Sequence, residues 1–292
     1  MNLAHHMLRA GRVAPSAPAL FRGDVCVADY GNAAAQTASL AAALRRRFSL
    51  APGSRVALLM KNVPDYVVCL YACWHAGLVA VPVNAKLHPR EIAFILDDSG
   101  AAVVFVTADL AAAASQAKAA TRAANPAIVE IRSAEHKEMT RGDGMAVAPV
   151  AGADPAWIFY TSGTTGRPKG AILSHRNLRA MALNYLSEIN PLAPGEALLH
   201  AAPMSHGSGL YMIPHVFGMG AQIIPESGRF EPAEILDLTA RRDSVSLFAC
   251  ACALGPDTCE AVSVWMSCPS RKARSMISSP AMAASTRSSI CE

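Results

Sequence analysis

Short β-rich runs and helical stretches alternate along this chain from about residue 50, and this alternation constrains the fold more than any other feature. In the first half, runs of branched and small apolar residues are separated by stretches with helical periodicity. The predicted strands there are 55–60, 79–83, 102–107 and 128–131, and the predicted helices are 64–76, 89–98 and 109–123. Such alternation predicts parallel sheets with helices on both faces, in which ligands bind beyond the carboxyl ends of the strands.

The alternation resumes after residues 133–155, a polar stretch with glycine and proline that is predicted to be a connecting loop. Beyond it, the predicted strands are 156–160, 171–174, 197–202, 221–225 and 245–249, and the predicted helices are 175–189, 210–218 and 232–241. We therefore expect an α/β fold of doubly wound, largely parallel sheets in two subdomains. The first subdomain is predicted at residues 1–132, and the second, an incomplete one, at residues 156–249.

The composition is typical of a globular protein, with 52% apolar residues, 16% charged residues and a formal net charge of +4. The basic run of Arg45, Arg46 and Arg47 ends an Ala-rich helical stretch, where cations favour the carbonyl end of the helix dipole. We therefore expect no nucleic-acid partner.

Targeting and metal-binding signals are weak. The N-terminus has no continuous apolar run of the signal-peptide kind, and the longest apolar stretch, 67–83, is broken by Gly77 and Pro82. We expect no membrane span and a cytoplasmic location. The eight cysteines include no CxxC pair, and five of them follow residue 249 without a histidine, so a zinc site is not expected.

One segment, residues 160–170, combines the elements of an anion-binding loop. Its three glycines let the backbone turn N–H groups toward one point, its four hydroxyls add donors, and Lys169 supplies a positive charge. The spacing is not that of a Walker A loop, because Gly163 is followed five residues later by Pro168 instead of a second glycine. The alternative is an exposed Ser/Thr/Gly turn, which the flanking predicted strands and the Pro-Lys-Gly ending disfavour.

This segment resembles the phosphate loop of the adenylate-forming superfamily, which includes acyl-CoA synthetases, aryl-CoA ligases, luciferases and peptide-synthetase adenylation domains. The resemblance extends over about residues 15–249. Residues 76–84 resemble an upstream core motif of that family, residues 174–178 the start of the helix after the loop, and residues 203–209 the acyl-pocket motif. The chain is thus similar to the front part of the family's large N-terminal domain, truncated before its end.

The resemblance implies ATP-dependent activation of a carboxylic acid. The acid would attack the α-phosphate of Mg²⁺-bound ATP to give acyl-adenylate and pyrophosphate, and coenzyme A would then displace AMP. Because two anions meet in the first step, charge screening and positioning dominate the catalysis. Lys169 would neutralise the departing pyrophosphate, and no Mg²⁺ ligand is assigned. The residues that would hold the β- and γ-phosphates are Thr161, Ser162, Gly163, Thr164, Thr165 and Gly166.

The resemblance also places His206 beside the carboxylate of the acid, as a catalytic and substrate-binding residue. Taken by itself, a lone histidine is more often a satisfied polar side chain. Gly207, Ser208 and Gly209 would complete the substrate site, with the two glycines leaving room for the acyl chain. Amino-acid-activating relatives carry an aspartate in this motif to pair with the substrate ammonium, and this chain has none there. A fatty, cyclic or aromatic acid is therefore expected.

Residues 250–292 differ in character from the rest of the chain. They are rich in cysteine and serine and have no sustained strand or helix period, which predicts a disordered or frame-shifted tail. The adenine, ribose and lid motifs of the family are not found, so we expect this chain to be inactive by itself. The alternatives are a non-catalytic remnant, a weak nucleotide-binding module, or a kinase, which the lack of Mg²⁺-binding carboxylates near the loop disfavours. The oligomeric state stays open.

Overall fold

The computed structural model describes residues 1–161, 167–192, 195–242, 244–250 and 263–269, and it contains two largely parallel sheets flanked by helices. The predicted α/β class is confirmed. The strands are β1 Pro18–Arg22, β2 Val25–Asp29, β3 Arg55–Leu59, β4 Val79–Pro82, β5 Ala101–Val106, β6 Ala127–Glu130, β7 Pro155–Thr161, β8 Lys169–Ser174, β9 Ala197–Leu199, β10 Ala221–Ile224, β11 Ser244–Cys250 and β12 Ser263–Pro269. The helices are α1 Ala4–Val13, α2 Tyr30–Arg47, α3 Asp65–His75, α4 Pro89–Ser99, α5 Ala111–Ala120, α6 Ala134–Met139, α7 His175–Asn184, α8 Gly207–Phe217 and α9 Pro232–Ala240.

The strand order is β12-β11-β9-β10-β1-β2 in the first sheet and β6-β5-β3-β4-β7-β8 in the second. Neighbouring strands are parallel, apart from the antiparallel pairs β1–β2, β7–β8 and β11–β12. In each of these pairs one strand, β2, β8 or β12, is an edge strand of its sheet and pairs with the strand that precedes it in the chain. The parallel core agrees with the expected doubly wound arrangement.

The two sheets do not follow the boundary predicted at residues 133–155. β1 and β2, from the first stretch, belong to the same sheet as β9, β10 and β11. β7 and β8, from the second stretch, belong to the same sheet as β3, β4, β5 and β6. The sheets therefore do not coincide with the two stretches of chain, and the division into two subdomains stays a prediction. β1 and β2 form a short local hairpin without a βαβ pattern, so their pairing with β10 depends on contacts across about 200 residues of chain. The predicted loop also contains α6.

The centre of the second sheet, at β3, is buried on both faces. Alternate residues of β3 point to opposite sides, and Val56 and Leu58 lie in the core formed with α2 and α3. Ala57 and Leu59 lie in the core formed with α4 and α5. All four residues are apolar and buried, as expected for a parallel strand that helices cover on both sides.

Two well-capped helices fix the surroundings of β7 and β8. α4 begins at Pro89 with a capping box between His88 and Glu91 and ends at Gly100, whose φ of 60° favours glycine. α7 follows β8 directly, and its N-cap Ser174 accepts a hydrogen bond of 3.2 Å from the Asn177 N–H. These caps fix both ends of α4 and the start of α7, which borders β8.

Only part of the tail predicted at residues 250–292 is described, namely Cys250 and β12. β12 pairs with β11 in an antiparallel register that runs from Ser244 opposite Pro269 to Cys250 opposite Ser263. This strand departs from the prediction of an unstructured tail. The edge of β11 offers unpaired backbone N–H and C=O groups, which pair with a neighbouring strand without needing a side-chain period. The rest of the tail, and the prediction made for it, lie outside the described residues.

Candidate active site

The β7–β8 hairpin presents two faces with different residues. In its register Trp157, Phe159 and Thr161 lie opposite Leu173, Ala171 and Lys169, respectively. Because side chains alternate along a strand and cross-strand partners share a face, these six residues lie on one face of the hairpin. The other face carries Tyr160 opposite Gly170, and Ile158 opposite Ile172.

The phosphate loop predicted from the sequence joins these two strands at their outer end. Ser162, Gly163, Thr164, Thr165 and Gly166 lie outside the described residues, so their proposed contacts stay predictions. The two flanking residues, Thr161 and Lys169, face each other across the hairpin, and both are exposed. Within the ranges that the structure describes, Lys169 forms no ion pair. Its ammonium group is therefore available to an anion held by the loop.

His206 lies on the same face of the hairpin as Thr161 and Lys169. Its ring meets the Phe159 ring edge-on, with the centroids 5.6 Å apart, and its Nδ1 lies 3.0 Å from the Ser205 hydroxyl. Partial burial lowers the pKa of His206 below its ordinary value, so the imidazole is neutral at pH 7. A neutral ring in this position donates one N–H to a carboxylate without forming an ion pair.

The segment around His206, residues 200–209, is held in place by a side chain from the other sheet. The Asn62 amide donates to the carbonyl oxygens of His200 (3.0 Å) and Ala202 (2.8 Å), and its oxygen accepts from the Met204 N–H (2.9 Å). Asn62 follows β3 and is buried. It therefore fixes the backbone before His206 relative to the second sheet, and neither periodicity nor a motif marks Asn62 for this role.

The three residues after His206 start α8, and two of them are glycines with close neighbours. A β-carbon added at Gly207 would lie 2.5 Å from the Phe248 ring, and one at Gly209 would overlap the Met204 carbonyl oxygen. Their lack of a side chain permits the close approach of β11 and of the turn that carries His206. The room that they are expected to leave for an acyl chain stays a prediction.

Ser208 is fully buried and belongs to a polar chain inside the core. Its hydroxyl lies 2.7 Å from His200 Nδ1, and His200 Nε2 lies 2.9 Å from the side-chain oxygen of Gln222. Burial lowers the pKa of His200 to about 4, so this histidine is neutral and joins its two neighbours as donor to one and acceptor from the other. Ser208 therefore anchors α8 to β9 and β10, and its predicted contact with a substrate stays a prediction.

The apolar residues of α8 pack into the main core. Met212, Ile213 and Val216 are completely buried there, and Leu210 packs at its margin. Core packing therefore accounts for these side chains in this structure.

Neither a clustered metal site nor a membrane span occurs in the part of the chain that the structure describes. In these ranges, no group of three or more His, Cys, Asp or Glu side chains could hold a metal ion. None of the helices in those ranges is long and apolar enough to cross a membrane.

Comparisons with known proteins agree with this geometry. A sequence model described as AMP-binding enzyme matches residues 8–254. A feruloyl-CoA synthase from Amycolatopsis sp. is 36% identical over 231 residues, which cover 78% of this chain and 44% of that protein. The long-chain-fatty-acid–CoA ligase FadD13 of Mycobacterium tuberculosis is 35% identical over 164 residues, covering 55% of this chain and 32% of the ligase. The chain thus spans less than half the length of these curated relatives.

Solved structures with the same fold belong to similar proteins. The inhibitor-bound N-terminal domain of FACL13 from Mycobacterium tuberculosis superimposes with a TM-score of 0.74 at 27% identity, covering 82% of this chain and 60% of that one. ATP-bound MatB from Rhodopseudomonas palustris gives a TM-score of 0.72 at 27% identity, covering 84% of this chain and 49% of MatB. The similarity therefore includes most of the described residues.

Proposed function

The chain belongs to the AMP-binding enzyme family, and from that premise we propose that it carries the phosphate-binding and acid-binding parts of an enzyme that joins a carboxylic acid to coenzyme A through an acyl-adenylate. Its relatives include a feruloyl-CoA synthase and a long-chain-fatty-acid–CoA ligase. The substrates are ATP, coenzyme A and a fatty, cyclic or aromatic acid. The proposed location is the cytoplasm.

One observation carries this proposal: the β7–β8 hairpin places its loop-flanking residues and its His206 contact on a single face. Thr161 and Lys169 form a cross-strand pair at the outer end, and Phe159, two residues before Thr161, packs on the His206 ring. An anion held between Thr161 and Lys169 would therefore lie on the same face of the hairpin as the His206 ring. This is the arrangement that a reaction between an acid and a nucleotide phosphate requires.

Each side chain has a proposed part in the first half-reaction. The loop hydroxyls and N–H groups bind the β- and γ-phosphates, and Lys169 stabilises the negative charge that develops on the departing pyrophosphate. The neutral His206 ring orients the acid by donating a hydrogen bond to its carboxylate. Since a neutral ring provides no counter-charge for a buried ammonium, an acid without an amino group is favoured.

Mg²⁺ accompanies ATP in such reactions and screens the charges of its phosphates. The described residues contain no cluster of three His, Cys, Asp or Glu side chains that would hold the metal independently of ATP. Screening by the protein itself rests on Lys169 and on the donors of the loop.

Binding of pyrophosphate and ATP to the purified chain tests the phosphate site. The Lys169→Ala variant is expected to bind pyrophosphate about tenfold more weakly, because a charge-assisted contact is lost. Lys137→Ala provides a matched control, since Lys137 is also exposed but lies on α6. Unchanged affinity in a folded Lys169→Ala protein would show that the loop is not the site.

Binding of ferulate and hexanoate tests the acid site. His206→Ala is expected to weaken acid binding and leave ATP affinity almost unchanged, because the ring packs on Phe159 and is proposed to contact only the acid. An equal loss for ATP and acid would place the side chain elsewhere.

The alternative is a module that binds nucleotide without turnover, and it is favoured by the share of the relatives that this chain spans. Acid-dependent exchange between ATP and pyrophosphate separates the two functions. We expect no exchange from this chain alone, and robust exchange with ferulate, hexanoate or benzoate would establish an active enzyme.

A further inference from the structure

The face of the β7–β8 hairpin that does not carry Thr161 and Lys169 makes one polar contact of its own. The Tyr160 hydroxyl donates a hydrogen bond of 2.5 Å to Oδ2 of Asp98, a residue in the last turn of α4. Its ring lies over Gly170, where an added β-carbon would be 3.0 Å from the ring carbon that bears the hydroxyl. Tyr160 directly precedes Thr161, and Gly170 directly follows Lys169.

The outer end of the hairpin is held by side chains and not by further strand pairing with β4. β8 is the edge strand of the second sheet, and most of its side chains are exposed. β7 pairs with β4 at Trp157 opposite Ala80, whereas its pairing with β8 continues to Thr161. Beyond Trp157, the attachment of β7 therefore depends on its side chains, among which Tyr160 packs against the core beside α4.

Asp98, in contrast, lies on a firmly held element. α4 is capped at both ends, and the preceding residue, Asp97, accepts hydrogen bonds from the backbone N–H groups of Arg122, Ala123 and Ala124 at 2.8, 3.0 and 2.9 Å. The C-terminal end of α4 is thus fixed to the turn before β6. A side chain there is a rigid attachment point for a mobile partner.

From these contacts we propose that Asp98 and Tyr160 are a positioning pair for the phosphate loop. Their hydrogen bond holds the outer half of the hairpin against α4, and it thereby sets the separation of Thr161 and Lys169 on the opposite face. Neither residue touches the anion. This inference rests on the proposed function for the role of the loop, but the attachment itself does not depend on any ligand.

A purely electrostatic role of Asp98 makes a different prediction. A carboxylate near an anion site weakens binding by its charge, so Asp98→Asn and Asp98→Ala would both strengthen pyrophosphate binding to the same extent. If Asp98 acts through position, Asp98→Asn keeps an acceptor for the tyrosine hydroxyl and Asp98→Ala removes it. We expect Asp98→Asn to bind pyrophosphate at least as well as the wild type, and Asp98→Ala and Tyr160→Phe to bind it about tenfold more weakly.

Native-state hydrogen exchange provides a readout that needs no ligand. Asp98→Ala and Tyr160→Phe are expected to speed exchange of the amides of residues 159–161 and 169–171 about tenfold, and to leave those of β3 and β5 unchanged. Asp98→Asn should keep wild-type protection. The matched controls are Asp109→Ala and Asp109→Asn, since Asp109 is likewise exposed and contacts Lys61 at 2.6 Å.

The outcomes separate this inference from the proposed function. Unchanged exchange at the hairpin in both Asp98→Ala and Tyr160→Phe overturns the positioning pair. If both variants exchange faster but the wild type binds no pyrophosphate, the attachment of the hairpin by this pair is supported and the proposed phosphate site is refuted. If the wild type binds pyrophosphate and Asp98→Ala matches Asp98→Asn in affinity, the pair does not position the loop.

Discussion

The segment around His206 and the β7–β8 hairpin contribute to one face, yet they are held in opposite ways. Residues 200–209 are fixed from within, by three hydrogen bonds with Asn62 and by the buried contacts of Ser208 with His200 and Gln222. The outer end of the hairpin includes the exposed edge strand β8, and the Tyr160 hydroxyl bonds there to the exposed Asp98. A site that must orient one substrate and follow the moving phosphate of another benefits from a rigid part and an adjustable part.

This comparison predicts that substitutions around His206 act on stability, whereas substitutions on the hairpin act on ligand binding. The largest effect is expected at Gly209. An alanine there would force its methyl group into the Met204 carbonyl, and the Met204 backbone is itself fixed by Asn62. Gly209→Ala should lower the free energy of unfolding by about 3–4 kcal/mol, measured by urea denaturation.

Gly152→Ala is the control for that experiment, because the added carbon would make an ordinary contact of 3.6 Å with Arg176. Its unfolding free energy should stay within about 0.5 kcal/mol of the wild type. If Gly209→Ala lowers the free energy of unfolding by no more than this, the segment around His206 adapts to the added methyl group. That result would contradict the view that this segment is rigid.

The next largest effect is expected at Asn62. Asn62→Ala leaves one N–H and two C=O groups of a buried segment without their partners, so we expect a loss of about 3 kcal/mol in the free energy of unfolding. Asn84→Ala is the matched control, since the Asn84 side chain accepts one hydrogen bond, of 3.0 Å from the exposed Lys86 N–H. Equal losses of unfolding free energy in the two variants would show that Asn62 does not hold residues 200–209 against the second sheet.

Acid should weaken the His206 segment through His200. Burial lowers the pKa of His200 to about 4, and its neighbours are Ser208, Gln222 and, electrostatically, His215. The unfolded chain, in which the pKa is near 6.5, binds the proton first, so the contribution to stability is present above pH 6.5 and falls as the pH drops toward 4.

Between pH 7 and pH 5 this single group should remove about 2 kcal/mol from the free energy of unfolding. Urea denaturation at both pH values checks this, with His200→Gln as the variant that lacks the titrating group. The variant should lose about 2 kcal/mol less than the wild type over this range, and an identical pH dependence would contradict the assignment.

The smallest effect on stability is expected at Lys169. Its side chain is exposed and forms no ion pair among the described residues, so Lys169→Ala should change the free energy of unfolding by less than about 0.5 kcal/mol. A larger loss in thermal or urea unfolding would mean that Lys169 supports the hairpin, and its effect on pyrophosphate binding could not then be ascribed to charge alone.

Much of the secondary structure followed from the sequence. The strands β3, β4, β5, β7 and β11 and the helices α3 and α4 lie within one or two residues of their predicted bounds, because their periodicity and their Gly and Pro boundaries are local signals. The candidate phosphate loop between Thr161 and Lys169 is also a local signal, since its glycines, hydroxyls and lysine are contiguous, and its role stays a prediction.

The assembly of these parts was decided by the tertiary structure. The β1–β2 hairpin joins β10 across 200 residues, Asn62 reaches Met204 across 142 residues, and the Phe248 ring fills the space beside Gly207. A local pattern states which face of a strand is apolar, but it does not state which distant face will cover it. That choice depends on which closure of the chain buries apolar surface and pairs polar groups at the same time, and only the folded molecule satisfies both conditions together.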